Sequence, residues 1–193
     1  MLGSRTLATR LYPKIERAPK IVIRDRPVET DELIAILKQS PKILSLINVE
    51  LQNTSRSVRL IANQLLFPDW EIEYLDLRHD SIFSSGINLI LKSIKQNRTV
   101  KYLDLSMNVI TPAGIDLLIE ALESNQVLRI VRIGMEYIPV GAEKLIPILK
   151  KSSLKRFDIY PTATERKRYG YQLKRSDLAR NWVITKIESI FTS

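Results

Sequence analysis

The chain contains no cysteine, one histidine and only six glycines among 193 residues. Without cysteine there is no disulfide, no thiolate metal site and no cysteine nucleophile, and a small disulfide-stapled secreted scaffold is excluded. The single imidazole, His79, rules out a histidine pair or a His-based metal cluster. It falls between a strand-like and a helix-like run, which predicts a surface turn residue. The scattered glycines form no phosphate-cradling loop. No uninterrupted apolar run approaches the roughly 20 residues that a membrane-spanning helix needs.

What is present is ordinary in amount and uneven in placement. Hydrophobic residues make up 45% and charged residues 26%, the balance of a globular chain that buries a substantial core as one domain plus tails. The formal charge of +9 sits at the ends: residues 1–28 carry +5, 29–70 carry −1, 71–153 are neutral and 154–193 carry +5. Basic arms on a neutral body predict tails that dock on an anionic partner, or a targeting signal.

Two segments say nearly the same thing. YLDLRHDSIFSSGINLILKSI (74–94) and YLDLSMNVITPAGIDLLIEAL (102–122) align at an offset of 28. Leu75, Leu77, Ile82, Gly86, Leu89, Ile90 and Ile94 map onto Leu103, Leu105, Ile110, Gly114, Leu117, Leu118 and Leu122. The phase runs forward through Leu128, Val131 and Ile133, shortens at Gly141 and again before Leu154, Phe157 and Ile159, and runs backward by 28 to Leu44, Ile47 and Val49. In each unit, alternation such as Tyr74-Leu75-Asp76-Leu77-Arg78 predicts a strand with one buried face. The three-to-four spacing of Leu117, Leu118 and Leu122 predicts a buried helical stripe. Gly86 and Gly114 are expected where the backbone turns sharply, and Thr111-Pro112 reads as a helix start with a capping hydroxyl. One such unit cannot bury its own apolar face, so neighbours must stack.

The form L-x-x-L-x-L-x-x-N-x-I, with its Gly and the L-x-x-x-L helix, resembles the leucine-rich repeat, ribonuclease-inhibitor-like subclass. The resemblance covers roughly residues 42–160 and is densest over 71–150. It implies an α/β fold: a short solenoid with parallel strands on the concave face, α-helices on the convex face and terminal caps. Asn stands only at Asn108, with Asp80, Glu136 and Gln52 at the equivalent places.

The expected organisation is a basic arm or targeting segment at 1–20, the solenoid at 21–160, and a basic linker with a C-terminal capping or docking helix at 161–193. A first unit is expected from a strand at Ile21-Val22-Ile23 and a helix from Thr30 to before Pro41. The final helix is expected over 176–191, capped by Ser176, with a stripe of Ala179, Val183, Ile187 and Ile190.

Three columns are expected to lie exposed on the concave sheet. The first reads Leu46, Tyr74, Tyr102, Ile130, Arg156; the second Asn48, Asp76, Asp104, Arg132, Asp158; the third Glu50, Arg78, Ser106, Gly134, Tyr160. Tyr and Arg are common interface anchors, so Tyr74, Asp76, Arg78, Tyr102, Asp104, Ile130, Arg132, Arg156 and Tyr160 form a candidate protein-binding face. Asp76 and Asp104, on neighbouring strands, recur because the unit recurs and are balanced by Arg78 and Arg132, so no catalysis is expected of them. No cofactor, metal or small-molecule substrate is expected.

Arg5, Arg10 and Arg17 lie in a first segment of import-signal composition, with Leu2, Leu7, Leu11 and Ile15 interleaved at helical spacing. Arg166, Lys167, Arg168, Lys174 and Arg175 surround Tyr169 and Tyr171, a composition suited to an anionic partner such as RNA. The function expected is a non-catalytic scaffold subunit of a large assembly, mitochondrial, ribosomal or respiratory, contacting other protein subunits. The alternative is a freestanding cytosolic, cytoskeletal or axonemal adaptor.

Overall fold

In a computed structural model, the x-L-x-L runs become strands lying side by side. The structure describes residues 19–52, 54–135, 144–145, 147–149, 151–161, 169–175 and 182–188. The elements in chain order are β1 (Lys20–Arg24), β2 (Pro27–Val28), α1 (Thr30–Lys38), β3 (Ile43–Ile47), β4 (Glu50–Leu51), α2 (Thr54–Gln64), β5 (Tyr74–Asp76), α3 (Ser84–Gln96), β6 (Tyr102–Ile110), α4 (Pro112–Ser124), β7 (Ile130–Met135), β8 (Arg156–Pro161), β9 (Tyr169–Arg175) and β10 (Trp182–Glu188). The expected first unit is thus present as β1 and α1.

The main sheet runs β1-β3-β5-β6-β7-β8-β9-β10. Its first six strands are parallel; β9 and β10 are antiparallel additions. β2 and β4 form a small parallel pair beside it. Between the parallel strands the helices pack in sequence, α1 on α2, α2 on α3 and α3 on α4. The strand residues Leu44, Leu46, Leu75, Leu77, Leu103, Leu105, Val131, Ile133, Phe157 and Ile159 meet helix residues such as Leu33, Ile61, Ile90 and Leu118 in one apolar core. Burying those side chains, at roughly 1.5–3 kcal/mol each, is the main force joining the units.

The register corrects the repeat at its beginning. Tyr74 pairs with Tyr102 and Tyr102 with Ile130, as the 28-residue offset requires, and Ile130 with Arg156 at 26. On the other side Tyr74 pairs with Ile43, an offset of 31, and Ile43 with Lys20, an offset of 23. The added residues lie between α2 and β5, where Leu66–Trp70 turns back and buries the Trp70 ring. An insertion in a connection shifts the count without disturbing the strand, so a fixed period misaligns β3.

Through β1, β3, β5 and β6 one left-handed residue recurs where the x-L-x-L run ends. Asp25, Asn48, His79 and Met107, spaced by the same offsets as the strands, have φ of 54°, 53°, 61° and 61°. Asn, Asp and His tolerate this left-handed conformation better than other non-glycine residues. The Asp25, Asn48 and His79 amides each donate to a carbonyl of the next unit, Ile47, Arg78 and Ser106, at 3.1 Å. His79 is therefore a turn residue, its ring bonded to Asn48.

Three further expectations change. Gly86 and Gly114 lie inside α3 and α4 and no described glycine has positive φ; a Cβ there would sit 2.7 Å from the side chains of Ile82 and Ile110, so the need is for space. Thr111 is the N-cap of α4 and Pro112 its first residue, but the hydroxyl makes no capping bond. The C-terminal helix is replaced over its centre by β10, and Tyr169–Arg175 of the linker is strand β9. Val183, Ile184, Thr185 and Ile187 are β-branched, which favours extended backbone, and pairing with β9 satisfies it. Ser176, Ala179 and Ile190 lie outside the described residues.

Candidate interaction surface

Parallel register lines up two columns on the sheet face opposite the helices. The first is Ile43, Tyr74, Tyr102, Ile130 and Arg156; the second is Ser45, Asp76, Asp104, Arg132 and Asp158. Ile43 and Ser45 replace the expected Leu46 and Asn48, since Leu46 points into the core. Glu50, expected in the third column, belongs to β4. The side chain of Tyr160 falls outside the described residues; its backbone pairs with Gly134.

These columns are not the exposed surface that alternation alone predicts. Tyr74, Asp76, Asp104, Ile130, Arg132 and Asp158 are buried, and Tyr102 is 1% exposed. Strands roughly 4.8 Å apart set Arg132 between Asp104 and Asp158 within the second column, and Tyr102 and Arg156 of the first column reach along their own strands to the carboxylates of the second. The Tyr74 and Tyr102 rings stack, and the Arg132 guanidinium lies 5.7 Å from the centroid of Tyr102.

Each carboxylate is held by named partners. Arg132 donates from Nη1 to Asp104 at 3.3 Å and from Nε to Asp158 at 3.0 Å, and Arg156 Nε donates to both Asp158 oxygens at 2.9 Å. Asp104 also accepts from the Tyr102 hydroxyl at 3.0 Å and from the Ser106 hydroxyl at 2.6 Å. Asp76 accepts from Ser45 at 3.2 Å and pairs with Arg78 at 3.1 Å. Burial pushes Asp76 up to about 7, with Asp104 adding repulsion and Arg78 opposing both. Burial likewise raises the Tyr74 and Tyr102 hydroxyls above the usual phenol range. These groups stabilise one another, leaving Arg78 and Arg156 as the partly exposed members of the face.

The basic residues divide. Lys174 and Arg175 lie on β9, Lys174 in register with Arg156. Arg5, Arg10, Arg17, Arg166, Lys167 and Arg168 lie outside the described residues. Among the described residues no group of His, Cys, Asp and Glu is arranged to hold a metal, and no helix is long and apolar enough to cross a membrane.

A second inter-unit device escapes the leucine pattern. Asn97 and Asn125, 28 apart and both buried, follow α3 and α4. Asn97 Nδ2 donates to the Leu65 carbonyl at 2.9 Å, and Asn125 Nδ2 to the Ile94 carbonyl at 2.8 Å. Their Oδ1 atoms accept from Val100 and Leu128 amides at 2.8 and 2.9 Å. The recurrence of Asn at that offset is the signal that reveals them.

No protein-family model and no curated protein matches the chain. Among solved structures, the fold is similar to that of Leiomodin-1 actin-binding site 2, with a TM-score of 0.58 and 19% identity, over 67% of this chain and 78% of that one.

Proposed function

We propose that this chain is a non-catalytic protein-interaction scaffold, built as a short leucine-rich-repeat solenoid of the ribonuclease-inhibitor-like subclass and serving as a structural or accessory subunit of a larger assembly. The observation that carries this reading is where large apolar side chains meet water. Phe67 is 60% and Phe83 71% exposed. Phe67 lies on the connection leaving α2 and Phe83 on the one entering α3, so they sit on the rims of the units. Exposed aromatics of this size are the kind of side chain that anchors an interface. On the sheet face, Arg78 and Arg156 are within reach of a partner, with Tyr74 and Tyr102 as the platform beneath them.

The basic ends extend the reading. Arg5, Arg10 and Arg17, with Arg166, Lys167, Arg168, Lys174 and Arg175, would lash the body to an anionic neighbour, protein or RNA, in a mitochondrial, ribosomal or respiratory assembly. The second reading, a cytosolic or cytoskeletal adaptor, draws support from the fold shared with an actin-binding site.

Gradient sedimentation of a native organelle-containing lysate, with and without ribonuclease, tests both. Migration with a large particle is expected, and Phe67→Ser with Phe83→Ser should release the chain from it. A particle lost to ribonuclease identifies a ribonucleoprotein; one that survives identifies a protein assembly. Migration as a free 22.2 kDa chain overturns the subunit reading, and co-sedimentation with actin filaments would then decide for the adaptor.

A further inference from the structure

Asp80 stands where the next unit carries Asn108, and the two side chains can be compared atom by atom. Asn108 Oδ1 accepts the Ile82 amide of the preceding unit at 3.1 Å, while Nδ2 donates to the Leu77 carbonyl at 2.7 Å and the Leu105 carbonyl at 3.4 Å. Asp80 likewise accepts one amide of the preceding unit: its Oδ1 takes the Val49 amide at 2.9 Å. Val49 and Ile82 are both buried, Val49 standing in register with Asp80 itself and Ile82 two residues further along its own unit. The other oxygen, Oδ2, is buried and has no hydrogen-bond partner, in a residue only 1% exposed. The amide in this position is a donor to strand carbonyls. An ionised oxygen there offers the wrong polarity and leaves a charge out of water, which costs several kcal/mol. The acid form alone supplies a donor.

We propose that Asp80 is carried as a neutral carboxylic acid whose Oδ2 proton takes the place of the Asn108 amide donor, making the joint between the β3 and β5 units a pH-sensitive link. The charged groups acting on it are few. Burial is the dominant influence, pushing Asp80 up to about 8; Asp76 acts in the same direction, while the Val49 amide and the Arg78 guanidinium favour ionisation. The neighbouring His79 ring is turned to Asn48, and the following unit presents the uncharged Asn108. Because the folded acid is weaker than the unfolded one, its contribution is complete below about pH 4, declines as pH rises and is gone above about pH 8. This inference is independent of what the scaffold binds.

Urea unfolding of the full chain from about pH 5 to about pH 9 tests it. The wild-type midpoint should fall as pH rises. Asp80→Asn should raise the midpoint at the alkaline end and remove the fall above neutrality, whereas Asp76→Asn should leave that upper limb in place. A wild-type midpoint flat with pH, or an Asp80→Asn chain less stable than wild type in alkali, overturns the proposal. Carboxyl carbon NMR of the wild type needs no variant that folds. The Asp80 resonance should titrate near 8, and a midpoint in the ordinary aspartate range would refute the neutral acid.

Discussion

The rings of Tyr74 and Tyr102 stack with centroids 4.1 Å apart and planes 11° from parallel. They are 28 residues apart and exact partners in the parallel ladder between β5 and β6, so the stack follows from the repeat. Tyr102 also donates to Asp104 and lies under Arg132, joining the apolar column to the charged one. Replacing Tyr102 by Ala should lower the unfolding free energy by about 3–5 kcal/mol, while Tyr102→Phe, which loses only the hydroxyl contact, should cost about 1–2 kcal/mol. Urea denaturation of the two variants checks the ratio.

Arg132 bridges carboxylates on both neighbouring strands. Arg132→Met removes that charge while leaving Asp104 and Asp158 buried, and a destabilisation of about 3–5 kcal/mol is expected. The exposed pair Lys95–Glu120, which also links two units, should by contrast contribute less than about 1 kcal/mol when Lys95 is replaced by Met. Thermal unfolding in low and high salt separates the two, since screening reaches only the exposed pair.

Gly134 has no room for a side chain: an added Cβ would lie 2.2 Å from the Asn108 carbonyl oxygen. The obstacle is the backbone of the neighbouring strand, where β6 and β7 change register between Leu105 and Ile110. Gly134→Ala should destabilise by about 1–3 kcal/mol or more. Gly114→Ala meets the Ile110 side chain, which has freedom to shift, and should cost less. Equilibrium unfolding of the two alanine variants gives the order.

Asp76 is the second buried acid with a raised folded-state value, about 7. Its contribution to stability is therefore complete below the unfolded aspartate value near 4 and is lost as pH rises through about 7. The melting temperature of the Asp80→Asn chain should still fall between about pH 5 and about pH 7, and combining it with Asp76→Asn should remove that fall. A thermal melt series over pH reads both limbs.

Much of this was legible from side-chain pattern. Leu75, Leu77, Leu103 and Leu105 alternate as buried strand residues must, and the offset of 28 correctly pairs Asp76 with Asp104 and Asp104 with Arg132. The same offset fails at β3, although Ile43-Leu44-Ser45-Leu46 carries the x-L-x-L pattern that would align it with Tyr74. A count of residues is sensitive to an insertion in a connection; the alternation within a strand is not. Trp182–Glu188 reads as a helical stripe when every fourth residue is weighed, yet its β-branched residues pair with β9 instead.

By itself, the sequence determined the alternation of strands and helices, the parallel order of the repeating units and the residues that face the core, because these depend on local periodicity and on apolar burial. Tertiary structure decided the rest. Whether Tyr74, Asp76, Tyr102 and Asp104 face water depends on what lies across neighbouring strands, and the ion pairs of Arg132 depend on register between segments distant in the chain. The orphaned oxygen of Asp80 exists only because the preceding unit delivers one amide donor to a carboxyl group with two acceptors, a mismatch that arises when two units meet.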